Sequence, residues 1–267
     1  MKFARVNRIV LHYQVIGDAS RPTLVFSNSL GTDFRIWDEV VSRLRDRYRM
    51  VLYDKRGHGL SEATPAPYAL SDHVDDLGAL LDHLDIKRAA IVGLSVGGLI
   101  AQGLAAKRPD LVAALVLADT AHRIGTEARW DERIDTVTEK GIAAIADGVL
   151  RTWFTPAFHA HGNPDLVGFH TMLIRTSLDG YLGTCAALRD ADLTESTRAL
   201  DLPVLCIVGD QDGSTSPALV RSMADLIGGA QFQIVENAGH LPNVEQPQAF
   251  KDLILAFLEQ AEFELPL

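Results

Sequence analysis

Ala89-Ala90-Ile91-Val92-Gly93-Leu94-Ser95-Val96-Gly97-Gly98-Leu99-Ile100-Ala101 is the segment from which the architecture of the whole chain follows. It begins as the short apolar run of a buried parallel strand, turns at Gly-x-Ser-x-Gly, and continues as Leu-Ile-Ala-Gln-Gly-Leu-Ala-Ala, a good helix former. Between a strand and a helix the motif has a mechanical meaning. A serine on such an elbow takes strained backbone angles, and its neighbours must be small because strand and helix crowd together there. Gly93 and Gly97 stand two residues either side of Ser95, where a side chain would collide. The elbow is expected to hold the Ser95 hydroxyl out at the carboxyl end of a sheet, with the amino terminus of the new helix aimed at whatever the serine attacks. A glycine-serine turn without chemistry is the competing reading, and it leaves the strand before and the helix after without a purpose.

Working outward, the same strand-helix rhythm recurs. Residues 23–26 (Thr-Leu-Val-Phe) read as a short buried strand, followed by the small polar loop Ser27-Asn28-Ser29-Leu30-Gly31-Thr32 and an amphipathic segment carrying Phe34, Ile36, Trp37, Val40, Val41 and Leu44. A strand at 49–53 ends in Asp54-Lys55-Arg56-Gly57-His58-Gly59-Leu60-Ser61. Ser71 reads as the cap of a helix whose buried face is Val74, Leu77, Leu81 and Leu84. The helix after Ser95 is expected to stop before Pro109, and residues 112–118 form another buried strand. Residues 3–15 alternate polar and apolar, as an antiparallel pair at a sheet edge would. Strands alternating with helices point to a mostly parallel sheet with helices on both faces.

From about residue 121 to 200 the rhythm stops, and helical patches at 128–138, 141–153, 165–177 and 181–189 are separated by Gly and Pro. The expected division is a core of residues 1–120 and 199–267 with a helical cap at 121–198, lying over the carboxyl edge of the sheet. Trp130, Trp153, Phe154, Phe158, Phe169, Met172 and Tyr181 are available there to line a pocket or to glue cap to core. Strands then return at 202–209 and 231–235, with a last helix carrying Phe250, Leu253, Ile254 and Phe257 and a frayed end at 265–267.

The chain is 267 residues long, 47% apolar and 22% charged, as in ordinary soluble domains. Lys plus Arg number 25 against 35 Asp plus Glu, a net charge of −10 that argues against nucleic-acid or anionic-membrane partners. An anionic small molecule is not barred, because one local arginine outweighs distant acid. Cys185 and Cys206 show no metal-ligand or C-x-x-C spacing. Neither a signal peptide nor an apolar run of bilayer length is apparent, so the cytoplasm is the expected location.

A serine hydroxyl is a weak nucleophile at neutral pH and needs a base, itself oriented by a carboxylate. Ligands of open α/β sheets gather beyond the carboxyl ends of strands, and three residue types stand there in the order Ser, Asp, His: Ser95, then Asp210 or Asp212, then His240. His240 is singled out among nine histidines because it follows a strand inside Asn237-Ala238-Gly239-His240, where the loop turns back. Asp212 lies further along its loop and reaches over to His240, whereas Asp210 reads as a loop-shaping residue bonded to backbone. His58 is read as a brace for its own turn. The oxyanion formed by attack on a carbonyl needs donors, expected from the backbone N–H groups of Val96 and Leu30.

These motifs resemble the α/β-hydrolase superfamily over essentially the whole chain: the loop from Ser27 to Gly31, Asp54-x-Arg56-Gly57-His58-Gly59-x-Ser61, Gly93-x-Ser95-x-Gly97-Gly98, Gly209-x-x-Asp212 and Gly239-His240. The resemblance implies a mostly parallel eight-stranded sheet flanked by helices, with a helical cap insertion. More narrowly, the loop from Phe26 to Asp33, Tyr53-Asp54-Lys55-Arg56-Gly57-His58-Gly59-Leu60-Ser61, Arg123-Ile124-Gly125-Thr126 and Gly180-Tyr181-Leu182-Gly183-Thr184-Cys185 look like the 3-oxoadipate enol-lactonases. That likeness implies hydrolysis of an anionic lactone without metal or organic cofactor. The substrate carboxylate would want a cation, for which Arg129, Arg133 and Arg189 are candidates, with Trp130, Trp153 and Tyr181 as pocket walls. A general carboxylesterase or cofactor-free perhydrolase on the same residues is the near rival, separated by its activity on simple aryl esters. A ligand receptor that keeps the triad for slow turnover is the rival of another class, marked by slow hydrolysis and a large ligand-dependent change of shape.

Overall fold

The computed structural model describes residues 1–160 and 162–263; His161 and the expected frayed end at 265–267 lie outside the described residues. Strands β1 (Lys2–Val6) and β2 (Ile9–Ile16) form the antiparallel pair, turning through Asn7 and Arg8 in the left-handed region. They are joined by β3 (Thr23–Ser27), β4 (Arg49–Tyr53), β5 (Ala89–Leu94), β6 (Val112–Ala118), β7 (Val204–Gly209) and β8 (Gln231–Val235) in one sheet of order β1-β2-β4-β3-β5-β6-β7-β8. β4 runs antiparallel to β2, and every pairing from β4 to β8 is parallel. β3, β5, β6 and β7 are buried along their whole length, which is why they read as unbroken apolar runs.

Helices flank the sheet. α1 (Asp38–Leu44) packs on α11 (Pro247–Gln260), and α2 (Leu70–His83) on α3 (Val96–Lys107). α2 starts earlier than Ser71 suggests. Ala69 is its cap position, and Asp72 Oδ2 reaches back to accept the Ala69 N–H at 2.8 Å, which places Ser71 inside the first turn. Between β6 and β7 lie α4 (Glu127–Lys140), α5 (Ala143–Trp153), α6 (Pro164–Ile174), α7 (Leu178–Asp190) and α8 (Thr194–Arg198). α8 and α9 (Pro217–Ala224) have no counterpart in the periodicity, because α8 is one turn of Thr-Glu-Ser-Thr-Arg and α9 only two turns long. α10 (Pro242–Glu245) is a single turn just after His240. No helix of the described residues is long and apolar enough to cross a membrane.

Candidate active site

Ser95 sits between β5 and α3 at φ 58° and ψ −122°, a conformation that L residues adopt only where the surroundings force it. What forces it is contact. A Cβ on Gly93 would meet Gly97 O at 2.4 Å, and one on Gly97 would meet Ser27 O at 2.1 Å, so β5, α3 and β3 approach at backbone distance. The Ser95 N–H donates to Ala118 O at 3.0 Å and Thr120 Oγ1 donates to Ser95 O at 2.7 Å, tying the elbow to the end of β6.

The neighbouring strands deliver the other groups in order. Asp119 follows β6, Asp212 follows β7 and His240 follows β8. Asp212 Oδ2 lies 2.9 Å from His240 Nδ1 and accepts Thr215 Oγ1–H at 2.6 Å, while Oδ1 accepts the N–H groups of Ser214 and Thr215 at 2.7 and 3.0 Å. Burial pushes the Asp212 carboxyl up, but the His240 charge and the hydrogen bonds from His240, Thr215 and Ser214 outweigh it and hold the group below its ordinary value. Asp210 does what its place in the loop suggests, accepting the Ala238 N–H at 3.0 Å. Among the described residues no hydrogen bond joins Ser95 Oγ to His240, a contact that in unliganded sites is often long and closes only around substrate.

The loop after β3 is held from below. His58 Nδ1–H donates to Arg56 O at 3.0 Å, which leaves Nε2 to accept the Gly31 N–H at 3.1 Å. Burial and the Lys55 charge push the His58 imidazole well below its ordinary value, so it stays neutral and able to accept. Lys55, fully buried, donates through Nζ to Ser29 O at 2.5 Å and to Thr32 O at 3.5 Å. Neither Leu30 N–H nor Val96 N–H is given to a protein acceptor among the described residues. These two donors are the arrangement an oxyanion would use.

The model of the alpha/beta hydrolase family matches residues 24–253. The chain belongs to that family. It is 37% identical over 253 residues to 3-oxoadipate enol-lactonase 2 of Acinetobacter baylyi and 32% identical over 252 residues to 3-oxoadipate enol-lactonase 1 of the same organism, with 94% of each chain covered in both cases. The crystal structure of the enol-lactonase from Burkholderia xenovorans LB400 superposes with a TM-score of 0.94 at 36% identity, covering 97% of this chain and 100% of that one. The protein is a hydrolase.

In this hydrolase the structure brings Trp153 and Tyr181 to Gly31 in the loop after β3: a Cβ there would meet Leu173 Cδ1 at 2.5 Å, Tyr181 Cε2 at 3.3 Å and Trp153 Cη2 at 3.7 Å. Trp130 has a different duty, its indole N–H bound to Ile124 O at 2.7 Å and its ring face covered by the Arg133 guanidinium at 5.4 Å. Burial raises the Tyr181 hydroxyl, and the nearby charge of Arg133 works against the rise. Of the three candidate arginines, Arg189 is taken by Asp131 and Asp190 at 3.1 and 2.7 Å, and Arg129 is exposed. Arg133 is half-buried and makes no ion pair among the described residues. A cavity of about 900 Å³ lies elsewhere, between Thr32–Arg35 and α6, and neither Ser95, Asp212 nor His240 lines it.

Sequence reasoning missed Asp119 and Lys55. Asp119 stands at the carboxyl end of a strand, as Asp212 and His240 do, and the same rule finds it. For Lys55 the signal is absent, since an isolated lysine in a polar turn reads as surface. Asp119, Asp212 and His240 offer atoms within 4.8 Å of one another, close enough for a metal ion, but His240 Nδ1 and all the Asp212 oxygens are already engaged in hydrogen bonds.

Proposed function

We propose that this hydrolase opens 3-oxoadipate enol-lactone to 3-oxoadipate through an acyl-enzyme, with Ser95 as nucleophile, His240 as base and Asp212 as the acid that orients it. The observation that carries the reading is the 2.9 Å bond between His240 Nδ1 and Asp212 Oδ2, in the loops that follow β8 and β7 of the sheet whose β5 leads into the serine elbow. With Nδ1–H given to Asp212, His240 Nε2 holds the lone pair that takes the Ser95 proton as Oγ attacks the ring carbonyl. Leu30 and Val96 N–H groups hold the oxyanion. Collapse breaks the ring C–O bond, and His240 returns its proton to the departing enol oxygen. Water then repeats the sequence: His240 takes its proton, the hydroxide adds to the acyl carbon, and the C–O bond to Ser95 breaks as Oγ regains a proton.

The enol-lactone identity is supported by the likeness over nearly the whole chain to proteins named for that activity. The unpaired, half-buried Arg133 beside Tyr181 suits the substrate carboxylate, and residues 121–198 serve as the cap that shields the acyl-enzyme. The test supplies the lactone, generated in place, to wild type, Ser95→Ala and Arg133→Gln. Ser95→Ala should show no turnover above background. Arg133→Gln should raise KM about ten- to a hundredfold for the lactone, the worth of a charge-assisted hydrogen bond, and far less for a neutral aryl ester. Equal turnover by wild type and Ser95→Ala removes Ser95 as nucleophile. Aryl esters hydrolysed by wild type as fast as the lactone would point instead to a general carboxylesterase.

A further inference from the structure

Three carboxyl groups and one imidazole meet behind the candidate triad. Asp212 accepts four hydrogen bonds, from Ser214 N–H, Thr215 N–H, Thr215 Oγ1–H and His240 Nδ1–H. Glu245 on α10 accepts from Gly239 N–H at 2.7 Å, Thr155 N–H at 3.1 Å and Thr155 Oγ1–H at 2.6 Å. Asp119 is fully buried and accepts one, from Gly209 N–H to Oδ1 at 2.9 Å, while its Oδ2 has no partner among the described residues. Two carboxylates this close and this deep do not both ionise, and the proton settles where donors are fewest.

We infer that Asp119 is a neutral carboxylic acid in the working enzyme, a positioning residue that keeps the charge facing His240 at one and holds the end of β7 through Gly209. Burial and the Asp212 charge push the Asp119 carboxyl well above its ordinary range, in agreement with the donor count. Were Asp119 ionised, a second negative charge would face His240 from within 4.8 Å and hold its proton, taking from it the role of base. The groups that face Asp119 are Asp212 from the loop after β7, His240 from the loop after β8 and Glu245 from α10. The role given to His240 rests on the proposed triad; the protonation of Asp119 does not.

Two variants separate these parts. Asp119 lies at φ 45°, which asparagine tolerates and glycine adopts without strain, so Asp119→Asn and Asp119→Gly change the carboxyl rather than the turn. The infrared spectrum of wild type at pH 7 should contain the carbonyl stretch of a protonated carboxyl group, and Asp119→Asn should lose it. Absence of that band in wild type, or its survival in Asp119→Asn, overturns the inference. This readout needs no turnover, so it stands apart from any failure of the Ser95→Ala test. For the positioning role, Asp119→Gly should lower kcat about ten- to a hundredfold with little change in KM, and the asparagine variant should recover most of that loss. If Asp119 is instead charged, Asp119→Asn moves the acid limb of the kcat/KM profile down by about one pH unit or more, and the inference fails.

Discussion

Lys55→Met is the substitution that best separates folding from positioning. The ammonium is buried and its proton is held weakly: burial lowers it from 10.5 to about 7, with Asp54 and Asp33 working against the fall. A depression of that size corresponds to about 5 kcal/mol of strain in keeping the charge inside the fold. Against it stand two hydrogen bonds to backbone carbonyls, together worth roughly 2–4 kcal/mol. Removing the lysine does not orphan those carbonyls, because Ser29 O also accepts Thr32 N–H at 3.3 Å and Thr32 Oγ1–H at 2.9 Å, and Thr32 O also accepts from Asn28 Nδ2. Near neutral pH the methionine variant should therefore melt within about 5 °C of wild type, and no lower than that. Activity should behave differently. Lys55 fixes the carbonyls on both sides of Leu30, and a displaced Leu30 N–H amounts to losing one oxyanion donor, which costs about a hundred- to a thousandfold in kcat. Between about pH 7 and 10.5 the unfolded chain binds the proton that folded Lys55 releases, so this group makes wild type gain stability as pH rises through that window. The variant should lack that rise. Calorimetry across pH beside steady-state kinetics decides the matter: kcat within twofold of wild type refutes the loop argument, and a Tm drop beyond about 10 °C refutes the burial argument.

Gly97→Ala puts a Cβ 2.1 Å from Ser27 O, between two backbones that have nowhere to move, and should cost about 3 kcal/mol or more, read as a Tm fall of roughly 6–12 °C. Ser95→Gly should be about 1–2 kcal/mol more stable than Ser95→Ala, because only glycine relieves the strain at φ 58°; equal calorimetric midpoints would show that the elbow stores none. Asp212→Asn should lower kcat about ten-thousandfold by favouring the wrong His240 tautomer. Because the folded Asp212 carboxyl is held below its ordinary value, its stabilisation is complete above about pH 4 and lost as pH falls through the folded value, so the asparagine variant should show a flatter acid side in a stability titration.

The elbow was legible because its chemistry constrains residue size: Gly93 and Gly97 face backbone atoms in space, and nothing larger fits. β6 and β8 were legible to the residue, β6 as an unbroken apolar run and β8 as Gln-Phe-Gln-Ile-Val bracketed by glycine-containing turns. Both acids reach the loop after β8, Asp210 to the Ala238 N–H and Asp212 to the His240 imidazole, and it is the position further along the loop that brings Asp212 to the histidine. Legibility ended where a side chain acts against its type. Lys55 is a buried lysine that composition, periodicity and spacing assign to the surface, and Asp119 is a buried acid whose place after β6 marks it while nothing local shows its burial. Their partners come from loops 26 and 90 residues away in the chain, which no local pattern connects. Ser71 misled for a smaller reason, because Asp72 one position later supplied the capping bond instead.

These features together give the site a direction. In the proposed reaction, attack by Ser95 would create negative charge at the carbonyl oxygen and positive charge on His240, and the fold treats the two ends differently. At the proposed oxyanion end lie the Val96 N–H at the start of α3 and the Leu30 N–H on a loop fixed by a lysine and by a histidine kept neutral as an acceptor, neither of them given to a protein acceptor among the described residues. At the imidazole end lies Asp212, with four donors holding its charge in one orientation. Both partial charges thus develop opposite groups already in place, so little reorganisation is needed at the moment of reaction. A net charge of −10 therefore says nothing against an anionic substrate, because acid spread over the surface is screened within about 10 Å while the cations of this site act at contact distance.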